Sequence, residues 1–412
     1  MNKIFPIKTK TACQFKWSWS TIFLGTGTTT SCHRCHHWEF DVDTVSNFHN
    51  LPGKLLDREK MLEGLWPGNG CEYCKKVEDA GGASERQVWI NDKDLVPPEL
   101  ETDLTAVNVT PRLLEVYFTN LCNQACVYCT PRFSSTIQHE FNKFGPISAN
   151  PSYHKFSQHK DYNIFLKKFW KWMHENSRHL YEFQVLGGEP LFQDEFEQCL
   201  EFFDTHPNPN LDWRIFTNLK HDTKKFKTKI KKIEKLIEEK KIKNFQFVCS
   251  IDAWGEQAEF VRYGMSIENW EDNFKILVES KNIGIHIHMT VMPLTLVTMD
   301  ELLEKINFYR NQKSITISSN TITNPTCMDV YNFGDTLTIF LEKAINVVGN
   351  TDHDKLQKEC LMGIRDTMKN TQPNINEIKN FRNYLDEISK RRNTDWTELF
   401  PEIDKISSKL IQ

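Results

Sequence analysis

Between residues 112 and 320 two kinds of apolar pattern alternate along the chain. Short runs rich in β-branched and aromatic residues read as strands: "RLLEVYFT", "YEFQVLGG", "DWRIFTN", "NFQFVCSID", "IGIHIHMTVM" and "SITISS". Between them lie stretches with helical spacing: "YNIFLKKFWKWMHENS", "DEFEQCLEFFDT", "FKTKIKKIEKLIEEKK", "NWEDNFKILVES" and "DELLEKINFYR". Such alternation predicts parallel strands joined by right-handed crossovers.

The expected fold class is therefore α/β, a partial, open (β/α)6 barrel of TIM-like type over residues 111–325. In such folds the chemistry sits at the C-terminal ends of the strands. Residues 1–110 are expected to form an irregular Cys-rich module, with turn clusters at "WPGNG" and "DAGGAS". The stretch "DLVPPELETD" reads as the boundary. Residues 326–412 read as a helical C-terminal extension, with periodic segments near 335–347, 354–368, 375–391 and 396–410.

Charge and hydropathy exclude some partners. The net charge is −4, too small for a global field towards nucleic acid. Lys220 to Lys243 is lysine-rich, but Phe226, Ile230, Ile233 and Ile237 recur at helical spacing, so the lysines form a solvated face. No nucleic-acid partner is expected. The opening "MNKIFPIKTKTACQF" lacks the apolar core of a signal peptide, and no apolar run reaches the length of a membrane span. The expectation is a cytoplasmic protein without membrane contact.

Twelve cysteines are many for a reducing compartment, where metal ligation or catalysis is the usual employment. Cys199 and Cys249 sit in apolar runs and read as buried small hydrophobes. Cys122, Cys126 and Cys129 form a C-x3-C-x2-C run directly after the first strand. Three thiolates can hold three irons of a [4Fe–4S] cluster and leave the fourth open.

The run, with Tyr128 before its last Cys, resembles the signature of the radical S-adenosylmethionine superfamily. Further motifs follow in matching order. "GGEP" (Gly187 to Pro190) ends the second strand, "TN" (Thr217, Asn218) the third and "SID" (Ser250 to Asp252) the fourth. "VRYGMS" (Val261 to Ser266) follows, and "TVMP" (Thr290 to Pro293) ends the fifth. The resemblance implies that Cys122, Cys126 and Cys129 ligate the cluster, whose open iron chelates the methionine part of S-adenosylmethionine. One electron then cleaves the sulfonium, and the 5′-deoxyadenosyl radical takes hydrogen from a substrate. Gly187, Gly188 and Pro190 would shape a backbone close to the ligand, and Glu189 would receive the methionine ammonium. Asn218, Ser250 and Asp252 would serve ribose or carboxylate contacts. Arg262 would pair the carboxylate, and Tyr128 would pack on the adenine or shield the cluster.

The N-terminal cysteines leave two readings. Cys32-x2-Cys35 and Cys71-x2-Cys74 match a zinc ribbon with a long spacer. The same stretch resembles a twitch module, a shortened relative of the SPASM domain. The points of likeness are Cys13 and Trp17, a glycine hairpin leading to Cys32, and Cys71, Cys74, Glu78 and Gly81. That resemblance implies an auxiliary [4Fe–4S] cluster on Cys13, Cys32, Cys71 and Cys74. Cys35 is then a spare thiol or a substitute ligand, and His33, His36 and His37 are solvated. Enzymes with such modules often modify peptides or proteins, using an electron donor such as flavodoxin or ferredoxin. The alternatives are a small-molecule or nucleotide substrate, or a non-catalytic iron–sulfur or zinc-ribbon protein. The insertion 130–162 is expected to shape the substrate entrance as a long structureless loop.

Overall fold

The computed structural model describes residues 5–89, 92–147 and 156–412. Its strands are β1 Trp19–Phe23, β2 Thr28–Thr30, β3 Trp38–Glu39, β4 Leu113–Tyr117, β5 Ala125–Cys126, β6 Glu182–Leu186, β7 Asn208–Thr217, β8 Ile242–Ser250, β9 Arg262–Tyr263, β10 Ile283–Val291 and β11 Ile315–Thr321. One sheet holds them in the order β3-β2-β1-β4-β6-β7-β8-β10-β11. Every ladder from β1 across to β11 is parallel, whereas β1–β2 and β2–β3 are antiparallel. The edges β3 and β11 do not meet, so the sheet is open. β5 and β9 form a separate antiparallel pair.

The helices Tyr162–Asn176, Asp194–Thr205, Thr223–Glu238, Ile267–Glu279 and Met299–Arg310 alternate with the parallel strands, as the periodicity requires. Thr223–Glu238 shows why. Asp222 caps it by accepting from the Lys225 amide at 2.9 Å. Phe226, Ile230, Ile233 and Leu236 are buried, and Ile237 packs at the margin of the core. Exposed Lys232 and the half-buried Lys229 pair with Glu197.

The two sheet faces differ. In β10, Ile283, Ile285, Ile287, Met289 and Val291 are buried in the core, while His286, His288 and Thr290 point to the opposite face. Parallel register aligns Ser250, His288 and Ser318 on that second face, and Phe23, Tyr117 and Leu186 further along it. The polar face, at its C-terminal rim, carries the site.

Two segments depart from the sequence reading. The N-terminal region is more regular than expected: "STIFLGTGTTT" is a β1–β2 hairpin turned at Gly27 (φ +69°). β1 pairs with β4 from Trp19↔Leu113 to Phe23↔Tyr117, so the sheet runs through the expected boundary. Threonine and tryptophan are good strand formers, and the crowding of Gly and Cys hid them. The insertion 130–162 contains the helix Ser135–Phe144, capped by Ser134; residues 148–155 lie outside the described residues. The C-terminal helices Thr338–Val347, Asp352–Lys369, Ile375–Arg392 and Pro401–Ile411 fall where expected. They also reach the site: the Tyr384 hydroxyl donates to the Val127 carbonyl at 2.7 Å. Among the described residues no helix is long and apolar enough to cross a membrane.

Candidate active site

The loop after β4 carries Cys122, Cys126 and Cys129, and neighbours pin it at four points. The Leu121 carbonyl accepts from the Glu189 amide at 2.9 Å and from Gln193 Nε2 at 3.2 Å. The Cys122 carbonyl accepts from Thr136 Oγ1 at 2.7 Å, and the Cys122 amide donates to Ser135 Oγ at 3.1 Å. Cys126 in β5 pairs with Arg262 in β9, and the Val127 amide donates to the Val261 carbonyl at 2.8 Å. Tyr384 closes the fourth point.

So held, the three thiols line one cavity of about 290 Å³ with Tyr117, Tyr128, Gly187, Gly188, Glu189, Asn218, Ser250, Arg262, His288 and Thr290. Burial pushes the Cys122 thiol up to about 12 and raises Cys126 and Cys129 as well. Without a cation the thiols stay protonated at neutral pH; a metal would displace their protons. Gln124 lines the same cavity, and its buried Nε2 has no hydrogen-bond partner.

Glu189 is buried and engaged at both oxygens. Oε1 accepts from Thr217 Oγ1 at 2.7 Å and the Leu191 amide at 3.1 Å; Oε2 accepts from the Asn218 amide at 2.6 Å. Burial outweighs these bonds and pushes its carboxyl up to about 7. Asn218 Nδ2 donates to Asn123 Oδ1 at 3.0 Å, and Lys220 Nζ donates to the Asn123 carbonyl at 3.0 Å, tying the cysteine loop to β7.

Gly188 has a use that the motif alone does not reveal. At φ +58°, a Cβ there would stand 2.2 Å from the Leu121 carbonyl oxygen. A Cβ on Gly187 would stand 2.5 Å from Tyr117 Cδ1. Both glycines therefore admit the chain's own groups; Gly188 in particular lets β6's turn lie against the cysteine loop.

Asp252 and Arg262 pair with each other. Arg262 Nε donates to Asp252 Oδ2 at 2.8 Å, and Nη2 to Oδ1 at 3.1 Å. Tyr128 OH and the Thr290 amide also donate to Asp252, each at 2.8 Å. Asp252 is thus an internal anchor behind the cavity, as is Pro190, neither of which lines it. Arg262 Nη1 lies 3.9 Å from Cys126 Sγ, and the Asp252 charge holds the guanidinium cationic against the cost of burial.

Sequence reading missed Tyr117, Gln124, His288, Ser135, Thr136 and Tyr384 as parts of this site. His288 carried a usable signal, since alternation in "IGIHIHMTV" sets His286 and His288 on one face. Tyr384 carried none, being an ordinary residue of an amphipathic helix.

The second cysteine group also converges. Cys13, Cys32, Cys71 and Cys74 line a small cavity of about 20 Å³. Cys35 joins them: its Sγ lies 3.3 Å from Cys32 Sγ. Hydrogen bonds from Cys32 and Cys71, then the Lys16 charge, depress the Cys35 thiol. Gly70 (φ +89°) makes this possible, because a Cβ there would stand 2.0 Å from the Arg34 carbonyl oxygen. Three basic side chains are buried nearby. Lys16 pairs with Asp57 at 2.6 Å. Lys54 donates to Ser20, Thr29 and the Thr30 carbonyl. Arg58 donates to Asn50 and the Lys16, His49 and Val107 carbonyls. Buried Arg86, paired to Glu78, lines the cavity as well, as does Glu85, so the region carries both signs of charge. His33, His36 and His37 are exposed, with His33 3.3 Å from Glu115 and His37 against Arg132.

No protein-family model and no curated protein matches the chain. Among solved structures it is similar to the one described as "Native anSMEcpe with bound AdoMet and Kp18Cys peptide". The two share 15% identity at a TM-score of 0.35, over 57% of this chain and 59% of the other.

Proposed function

We propose that this chain is a radical S-adenosylmethionine enzyme whose open sheet is a partial barrel. The observation that carries the reading is the meeting of Cys122, Cys126 and Cys129 in one strand-end cavity with the "GGEP" turn, Asn218, Ser250 and Arg262. The donor set fits a [4Fe–4S] cluster on three thiolates. They are soft ligands, no fourth Cys stands in the run, and the unpartnered Gln124 amide offers a donor to a ligand. Among the described residues no three His, Cys, Asp or Glu side chains are arranged to hold a metal ion as they stand, so holding the cluster would require the thiols to shift. With S-adenosylmethionine on its open iron, the cluster would supply a 5′-deoxyadenosyl radical by one-electron cleavage of the sulfonium.

The chain's own residues do the rest. The four pinned points fix the cysteine loop. Glu189 has accepting capacity beyond its three bonds and faces the cavity, where it can take an ammonium. Arg262, oriented by Asp252 and Tyr128, sets a positive charge beside Cys126, suited to the negative thiolates and to a carboxylate. Leu186, Phe216 and Phe133 make the remaining wall apolar.

For residues 1–110 we read an auxiliary metal module of twitch type, in front of the catalytic unit at 111–325 and the extension at 326–412. The buried cations of this module suit an anionic thiolate centre. Buried Lys16 is the clearest of them, held cationic by Cys35, Cys71 and Asp57 against the cost of burial. A cavity of about 20 Å³ favours a second reading, one zinc ion, unless the thiols move outward around an auxiliary [4Fe–4S] cluster. The substrate class we favour is a peptide or protein, with flavodoxin or ferredoxin as reductant. The test is direct. Reduced, anaerobically reconstituted protein is expected to convert S-adenosylmethionine to 5′-deoxyadenosine, and the Cys122→Ala/Cys126→Ala/Cys129→Ala variant to form none. Equal yields would overturn the reading.

A further inference from the structure

Two histidines on the polar face of the sheet belong to no step described so far. His288 lines the cavity beside Ser250 and Thr290. Its Nδ1 lies 2.9 Å from Ser318 Oγ on β11. The same Oγ lies 2.7 Å from His286 Nε2, and His286 Nδ1 lies 2.7 Å from Thr316 Oγ1. The four side chains form an unbroken file down the sheet, from the cavity to the half-buried Thr316 at the start of β11. For His288 Nε2, no partner is recorded among the described residues.

We propose that His288 takes a proton from a substrate hydroxyl, thiol or amide in the cavity, and that Ser318, His286 and Thr316 carry it away. The proposal rests on reading the cavity as the substrate site.

The hydrogen-bond arithmetic supports it. Ser318 has one hydroxyl proton and lies between two ring nitrogens, so it donates to one and accepts from the other. That leaves two arrangements of the file. In the first, His288 Nδ1–H donates to Ser318, Ser318 donates to His286 Nε2, and His286 Nδ1–H donates to Thr316. His288 Nε2 is then a free acceptor. In the second, every bond is reversed, and His288 Nε2 carries a proton. Transfer converts the first into the second. A substrate X–H proton moves to His288 Nε2, and each bonded proton shifts one place. Thr316 releases its hydroxyl proton to water, leaving X⁻ in the cavity. No electron moves, and neither ring becomes an imidazolium in the balanced result.

The rings are suited to relay rather than to hold charge. Burial, then His288, Arg214 and His353, bring His286 down to about 4. Burial and Arg262 lower His288 against the opposing pull of Asp252. Arg214 is itself paired to Glu182 at 3.1 Å, and Asp252 to Arg262, so the file is flanked by satisfied charges.

The test uses the full-length protein labelled with ¹⁵N-histidine, without iron or S-adenosylmethionine, so its failure cannot be confused with failure of the enzyme reading. Long-range ¹H–¹⁵N spectra report which nitrogen of each ring holds the proton. The signals are assigned with His286→Gln and His288→Gln variants. Both rings are expected to be neutral at pH 7 and to share one tautomer, since Ser318 couples them. Ser318→Ala should break that agreement and slow exchange of the ring N–H by about tenfold. Thr316→Val, an independent variant at the far end, should slow exchange while leaving the shared tautomer. Diethyl pyrocarbonate, a small acylating probe, should label His288 and spare His286. Opposite tautomers, unchanged spectra in Ser318→Ala, or equal labelling of both rings would overturn the proposal.

Discussion

The two cysteine groups of this chain solve opposite problems. The strand-end group has three thiols, one cationic neighbour already paired to a carboxylate, and a cavity of about 290 Å³. The N-terminal group has five thiols, buried Lys16 and Arg86 each paired to a carboxylate, and about 20 Å³ of space. The first has room for a ligand beyond the metal; the second has ligands to spare and no room. An open centre does chemistry on something that enters, and a closed one holds structure or passes electrons. Glycine marks the difference. Gly188 seats one strand end against the strand-end loop, whereas Gly70 lets two cysteine loops close on each other.

The largest break in this comparison comes from Cys71→Ala/Cys74→Ala. The N-terminal centre should lose all its metal, while the strand-end centre keeps about four irons. Lys16 would keep Asp57 and Cys35 but lose Cys71 and the metal-held thiolates, at a cost on the order of 1–3 kcal/mol. Metal analysis and urea unfolding of the full-length variant check both parts. Loss of iron from both centres would show that the shared sheet makes them one unit.

Next in size is the pH dependence built into Glu189. Its carboxyl is raised from 4.5 to about 7 in the fold, so the folded protein binds the proton more tightly than the unfolded chain. That contribution is complete below about pH 4.5 and is lost as pH rises to about 7, on the order of 3 kcal/mol. Urea titrations of the metal-free protein across this window should show the decline, and Glu189→Gln should flatten it.

Smaller again is Gly188→Val. The left-handed backbone costs a branched residue about 1–2 kcal/mol, and the contact with Leu121 adds to it. Because that contact is with the cysteine loop, iron should fall at the strand-end centre and stay at the N-terminal one. Loss of S-adenosylmethionine binding with full iron would mean that Gly188 faces the ligand instead.

How much of this was legible in the sequence follows from where each signal lives. The six βα units lie in local periodicity, which is why β4, β6, β7, β8, β10 and β11 fall on the expected runs. Cys122, Cys126 and Cys129 were legible from spacing and from their place after a strand. The engagements were not. Nothing local says that Asp252 would be taken up by Arg262, Tyr128 and the Thr290 amide, since those partners lie far apart in the chain. The hairpin of β1 and β2 was obscured by composition, and the part of Tyr384 by distance, 257 residues from Val127.

The most direct test is electron paramagnetic resonance of the reduced protein with and without S-adenosylmethionine. If the strand-end centre is open and the N-terminal one closed, the added ligand should shift the signal that Cys122→Ala/Cys126→Ala/Cys129→Ala abolishes. Any signal remaining in that variant should not respond. A wild-type spectrum unchanged by S-adenosylmethionine, with the iron of Cys122, Cys126 and Cys129 in place, would contradict the account.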